Sequence, residues 1–444
     1  MNRRTLLRTL SVATAAGTPA AALVGCGPEQ AAPTKPAQGE VTFLDWESSL
    51  EGLPTETVLK NFQAKVSNVK LTYDTLGQNY EEKMRTLLAA GTPYDVHRVN
   101  DDYVRGNGVK GLMTDLMPYI KRDKFNREEV WPFHFDFPAH EGKYWGWATG
   151  NQPRVLFINK TLFQNKGVPA PLFDKWDPPT GWSWEDMVNA AQKLTDKTNP
   201  DRPTYGVNLI EDTGYEQTFL TNFGVEEGIY AKDGKRWTMA TPKGIEAIQT
   251  IIDLGCRLGV QRPFDWREGG AGVSGNTLFT QGRLAMHYAT MTSMRNYRRD
   301  IKDFDWDIAP VPKKEKRVTE GSLICYCVPK DAKNPDAAWT LLQFMTSEDS
   351  GRVFAEQQYY IPANKNAGTK YVVAKPGEKP EHVKLFIESM TQYNTLPNFT
   401  SNTERARQIY RPELNAKAYI CKEPAKQTIE GLKKQVEDSL IGQY

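Results

Sequence analysis

Residues 41–99 read VTFLDWESSLEGLPTETVLKNFQAKVSNVKLTYDTLGQNYEEKMRTLLAAGTPYDVHRV, and the spacing of the apolar positions changes repeatedly along them. Val41–Trp46 is a short apolar run of strand type. Val58, Leu59, Phe62 and Val66 then recur at helical spacing after Pro54-Thr55. A proline opening a helix is tolerated because the N–H it lacks would have no intrahelical partner. Val69–Thr75 alternates as a strand does, Glu81–Ala90 returns to helix and stops at Gly91-Thr92-Pro93, and Asp95–Val99 is extended again. This β-α-β-α-β order predicts an α/β layer with a mainly parallel sheet.

The rhythm continues outward. Val155–Ile158 is a short buried-type strand. Ser183 with Asp186 three residues on resembles a capping box, set before Trp184, Met187, Val188, Ala191 and Leu194 on one helical face. Thr241-Pro242 opens a helix carrying Ile245, Ile248 and Ile252, and Asn334-Pro335 opens another carrying Ala338, Leu341, Leu342 and Met345. Between them lie strand candidates Leu284–Tyr288, Asp305–Ala309 and Leu323–Val328. No fixed-period repeat occurs, which argues against a solenoid or propeller. At 444 residues the default is two domains. With Lys+Arg 56 against Asp+Glu 54, the charge is too balanced for a nucleic-acid partner.

Residues 1–25 are not part of the fold. Arg3, Arg4 and Arg8 make a basic start, and Thr9–Gly25 is uncharged but interrupted by Gly17 and Pro19, as in a signal peptide rather than a membrane span. Leu23-Val24-Gly25-Cys26 resembles a bacterial lipobox, which predicts a lipid on Cys26 and anchoring to the membrane outside the cytoplasm. Arg3-Arg4-Thr5-Leu6-Leu7 resembles a twin-arginine signal, so both export routes stay open. Residues 26–40, rich in Ala, Pro and Gln, read as a tether.

Chemistry-bearing motifs are sparse. Gly270-Ala271-Gly272-Val273-Ser274-Gly275 fits G-x-G-x-x-G, but no apolar strand precedes it, so it reads as a flexible loop. Cys325 and Cys327 share one face of a strand without further ligands at metal spacing, and the five histidines are scattered. No metal and no cofactor are expected. A Cys256–Cys421 bridge suits an extracytoplasmic chain, but spacing does not decide it. Aromatic and short polar residues gather at strand ends: Trp46-Glu47, Asn100-Asp101-Asp102, Trp145, and Gln152. Ligands of open α/β sheets bind beyond the carboxyl ends of strands. A sugar suits such a lining, because an aromatic ring covers its C–H face while amides and carboxylates take its hydroxyls.

Five further segments, in order, resemble the family-1 extracellular solute-binding proteins, the maltose-binding-protein-like lipoproteins of bacterial ABC sugar importers. They are Lys83–Val96, Gly142–Gly146 with Val155–Phe163, Thr180–Asp186, Phe279–Met286 and Asn334–Ser347. The resemblance implies a type II periplasmic-binding-protein fold: two α/β lobes, a three-segment hinge and a ligand cleft between them. It places lobe 1 at 40–150 plus 290–330 and lobe 2 at 151–289 plus 331–444. It implies a monomer that captures a carbohydrate by closing, hands it to the importer's membrane permease and performs no catalysis. Its ligand positions carry over to Trp46 and Glu47, to Asn100, Asp101 and Asp102, and to Gln152. They carry over also to Tyr215, Glu216 and Gln217, to Met291 and Thr292 (where the family usually has Trp), to Glu320, Gly321 and Ser322, and to Arg405. Two other readings stay open: a polyamine ringed by Glu47, Asp101, Asp102 and Glu216, and a secreted glycoside hydrolase, whose acid pair is a matter of spatial separation.

Overall fold

The computed structural model describes residues 38–210, 215–262 and 274–441. The signal segment, Cys26, most of the tether and Gly270–Val273 lie outside the described residues. Among the described residues ten strands are formed: β1 Gly39–Asp45, β2 Val69–Thr75, β3 Val96–Asn100, β4 Ala139–His140, β5 Lys143–Tyr144, β6 Trp147–Asn159, β7 Met286–Thr290, β8 Trp306–Ala309, β9 Gly321–Cys327 and β10 Ile361–Pro362. The main sheet runs β10-β6-β9-β3-β1-β2, with β7 and β8 also pairing with β6.

The sheet is mixed rather than mainly parallel. β1 pairs in parallel with β2 and β3, as the β-α-β reading of 41–99 requires. The ladders β3–β9, β6–β9, β6–β10, β6–β7 and β6–β8 are antiparallel. The reason is connectivity. β9 re-enters the first lobe from the second instead of through a helical crossover, so nothing forces it parallel to β3 or β6, and β10, reached from β9 through two helices, runs in the same direction as β9 and so antiparallel to β6.

β6 belongs to both lobes. Its Trp147–Pro153 half lies against β9, and its Arg154–Asn159 half lies against β7 and β8. The first lobe buries Val41, Phe43, Val58, Leu59 and Phe62 together with Trp147, Trp339, Phe354 and Tyr360. The second buries Val155, Phe157, Trp184, Met187, Ile248, Ile252, Tyr288 and Trp306. Local signals are realised in place. Ser183 Oγ accepts from the Asp186 N–H at 3.0 Å while Asp186 accepts from the Ser183 N–H at 2.8 Å, and Pro242 and Pro335 each open a helix.

The lobe boundaries differ from those expected. Residues 290–311 belong with the second lobe, because β8 lies on the distal half of β6 and Met291, Met294, Tyr297 and Val311 sit in that core. Residues 335–360 belong with the first. Trp339 meets Trp147 edge-on at 4.8 Å, and Phe344 meets Phe62 at 5.4 Å. The chain therefore crosses at Pro153–Arg154, at Glu320–Gly321, and between Ala363 and Val372. Cys256 and Cys421 form a disulfide across 165 residues, while Cys325 and Cys327 are free and buried.

Candidate functional site

A cavity of about 340 Å³ opens between the lobes, at the low end of the ~300–1,000 Å³ typical of small-molecule sites. Two of the three crossing segments contribute to it. Gln152 and Ser322 are cross-strand partners of β6 and β9, so both side chains fall on one face and both line the cavity. Arg154 and Thr290 are partners of β6 and β7, and both line it too. Glu320 is held at the crossing: its N–H donates to Thr218 Oγ1 at 2.8 Å, and its carbonyl accepts from the Arg154 N–H at 3.2 Å.

The first lobe adds Trp46 at the end of β1, and Asn100, Asp101 and Asp102 where β3 turns into the helix Asp101–Val109. Two acids in a first helical turn face the positive end of the helix dipole, a favourable place for them. The Arg98 guanidinium stacks on the Trp46 ring, 3.8 Å from its centroid, which fixes the indole. Asp101 is buried and accepts from the Leu323 N–H at 2.9 Å. Burial, and then the neighbouring Asp102 carboxylate, push its carboxyl up to about 7. Burial raises Asp102 as well, against the pull of Arg407.

The second lobe supplies Glu216 from the helix Tyr215–Asn222, together with Tyr230, Thr292 and Phe399. Its helix Thr403–Ala416 adds Arg407, Tyr410 and Arg411. Arg407 forms an ion pair with Asp102 across the cleft and donates to Tyr103 Oη at 3.3 Å. Arg411 lies 3.8 Å from Glu216 Oε1. Further cross-lobe contacts flank these: Arg105 Nη1 donates to the Phe399 carbonyl at 3.1 Å, and Arg85 lies 3.4 Å from Glu404.

Of the residues expected from sequence, Trp46, Asn100, Asp101, Asp102, Gln152, Glu216, Thr292, Glu320 and Ser322 come together in this cavity. The others do not line it, each for a local reason. Glu47 accepts from Tyr359 Oη at 3.0 Å and lies 3.5 Å from Arg98. Trp145 is buried against Gly108, where a Cβ would stand 2.0 Å from its ring. Tyr215 is buried edge-on to Tyr419. Gln217 accepts from the Ile229 N–H at 3.0 Å and donates to Thr395 Oγ1 at 2.9 Å, tying two loops together. Met291 is a core residue. Gly321 forms the wall behind the site, where an added Cβ would come within 2.7 Å of Asn151. Arg405 is exposed. Arg407 lies two residues on, about 200° around the helix, and it is Arg407 and Arg411 that face inward. Sequence reading also missed Arg154, Tyr230, Phe399 and Tyr410. The Ala406, Tyr410, Leu414 spacing carries the signal for the helix Thr403–Ala416, since Arg407 and Arg411 flank that apolar stripe.

Residues 57–381 match the family described as bacterial extracellular solute-binding proteins. The chain belongs to that family. A relative named erythritol/L-threitol-binding protein, from Mycolicibacterium smegmatis, is 24% identical over 302 residues, 60% of each chain. Among solved structures, an ABC substrate-binding protein of Listeria monocytogenes in complex with cycloalternan superposes with TM-score 0.79 at 21% identity, covering 91% of this chain and 99% of that one. A solute-binding protein of Thermotoga lettingae bound with α-D-tagatose gives 0.75 at 18%, covering 91% and 100%. The fold is thus the two-lobed type II binding-protein fold. Among the described residues no helix is long and apolar enough to cross a membrane, and no cluster of three or more His, Cys, Asp or Glu is placed to hold a metal ion.

Proposed function

We propose that this solute-binding protein captures a neutral carbohydrate or polyol in the cleft between its lobes and presents it, closed, to the permease of an ABC importer. The observation that carries the reading is the composition of the cavity. Trp46, Tyr230, Phe399 and Tyr410 bring aromatic rings to its lining, suited to C–H surfaces, while Asn100, Gln152, Thr290, Thr292 and Ser322 bring amides and hydroxyls. The sugars bound by two of its structural neighbours and the polyols for which a relative is named agree with this. Because both lobes line the cavity, a bound solute gains its full set of contacts only in the closed form. Its differential affinity for that form is what shifts the lobes. Nothing in this cycle requires bond breaking, so the reading is binding without catalysis. A lipid on Cys26 would hold the protein, as a monomer, at the membrane outside the cytoplasm, with residues 26–40 as its tether.

The test is a thermal-shift and calorimetric screen of the host-processed chain, extracted in mild detergent, against neutral sugars and polyols. A saturable shift with unchanged ligand at the end of the run is the expected result; at ~100 times Kd it corresponds to ~2.7 kcal/mol. Hydrolysis of the bound sugar, or silence across the panel, would overturn the reading.

A further inference from the structure

The cavity contains a conflict of charge that a neutral ligand does not explain. Among the described residues it is lined by four carboxylates, Asp101, Asp102, Glu216 and Glu320, and by three guanidiniums, Arg154, Arg407 and Arg411. Carboxylates beside an indole would, by themselves, make a good site for an organic ammonium ion, through both ion pairing and cation–π contact. We propose that Arg407 and Arg411 are specificity-determining residues that exclude cationic solutes from this cleft. The inference rests on the reading of the cleft as the solute site.

The geometry supports this in three ways. The two arginines are four apart on the helix Thr403–Ala416, so both side chains leave from one face and enter the cavity together. Each is engaged with a buried carboxylate, and the two carboxylates lie on opposite lobes: Asp102 for Arg407 and Glu216 for Arg411. Finally, the Arg407 pair spans the lobes. A solute ammonium competing for Asp102 would have to displace Arg407 and so remove a contact that belongs to the closed form. For a cation, binding and closure are therefore opposed. For a neutral polyol they are not, because its hydroxyls can bond to the outer edges of the pairs while the pairs persist. The raised Asp101 carboxyl, largely uncharged below neutral pH, reduces the attraction for cations further.

The experiment titrates spermidine and putrescine into the wild-type chain and into Arg407→Gln, Arg411→Gln and the double variant, with neutral sugars in parallel. Calorimetry gives Kd, and circular dichroism checks folding. The expected result is no saturable polyamine binding by wild type and a gain in affinity of roughly tenfold or more in the double variant. Each single variant should gain less, and the gain should shrink as salt rises because it is electrostatic. Arg407→Lys keeps the charge and should keep the exclusion. If the double variant does not fold, the single variants carry the test by the same titration. Folded variants that gain no polyamine affinity, or a wild type that binds spermidine as tightly as they do, would overturn the inference. A wild type that binds a neutral sugar while the variants gain nothing leaves the solute reading intact. Variants that gain spermidine while wild type ignores every neutral solute would overturn the sugar reading instead.

Discussion

Arg98 and Arg407 have the same chemistry and opposite uses. Arg98 is 2% exposed, lies 3.3 Å from the fully buried Asp45, and finds all its partners, Asp45, Glu47 and Trp46, within the first lobe. Arg407 keeps 26% of its side chain exposed, and its partner Asp102 is on the other side of the cleft. The first pair can be separated only by unfolding the lobe, so it is part of the scaffold that holds Trp46 in place. The second can be made and broken as the lobes part, although Asp102 is buried while they are together. Burial fixes a charge pair; a seat at a moving boundary turns the same pair into a coupling between closure and ligand.

Four measurements test that contrast, in descending order of the change each should produce. Arg98→Met leaves Asp45 buried without its counter-charge and should lower the unfolding free energy by about 3–5 kcal/mol in urea titration. A loss under ~1 kcal/mol would mean the pair is not structural. Replacing Cys256 and Cys421 by Ser releases the C-terminal helices and should cost about 2–4 kcal/mol by the same assay. Asp101→Asn addresses pH. The folded carboxyl titrates at about 7, above its ordinary value, so its protonated form contributes stability that is full below ~4 and is lost as pH rises through about 7. Wild type should therefore lose more stability over that window than the Asn variant, by roughly 1–3 kcal/mol. Identical pH profiles would remove the argument. Arg407→Met should cost less than any of these, because opening of the cleft lets water reach the Asp102 carboxylate left behind. It should nevertheless enlarge the radius of gyration of the ligand-free protein in solution scattering, as the lobes separate. A stability loss as large as that of Arg98→Met would place both arginines in the scaffold.

The first lobe was the more legible in sequence. Its strands and helices between Val41 and Val99 follow from period and punctuation alone, because each is local and each buries one face. The sheet's mixed direction was not legible, since no local pattern says that β9 enters from the other lobe. The boundary error has the same cause: the helix Pro335–Met345 announces itself through Asn334-Pro335, but nothing in its own residues says that Trp339 will meet Trp147. At the site, residues at strand ends such as Trp46, Asp101 and Gln152 could be placed, because the sheet itself delivers them there. Tyr215 and Trp145 could not be told from core aromatics, and neither lines the cavity. Arg407 and Arg411 depend on which face of a late helix turns toward the first lobe, which is a tertiary fact.

One feature of β6 bears on how the protein can be watched at work. Two hydrogen-bonded ladders meet on a single strand with one peptide, Pro153–Arg154, between them, and Pro153 has no N–H to lend to either. A shared strand of this kind resists sliding and stretching but yields to twist. On the proposed closure, twist about this peptide is the expected relative motion of the lobes. A distance read between one label on each lobe would report it.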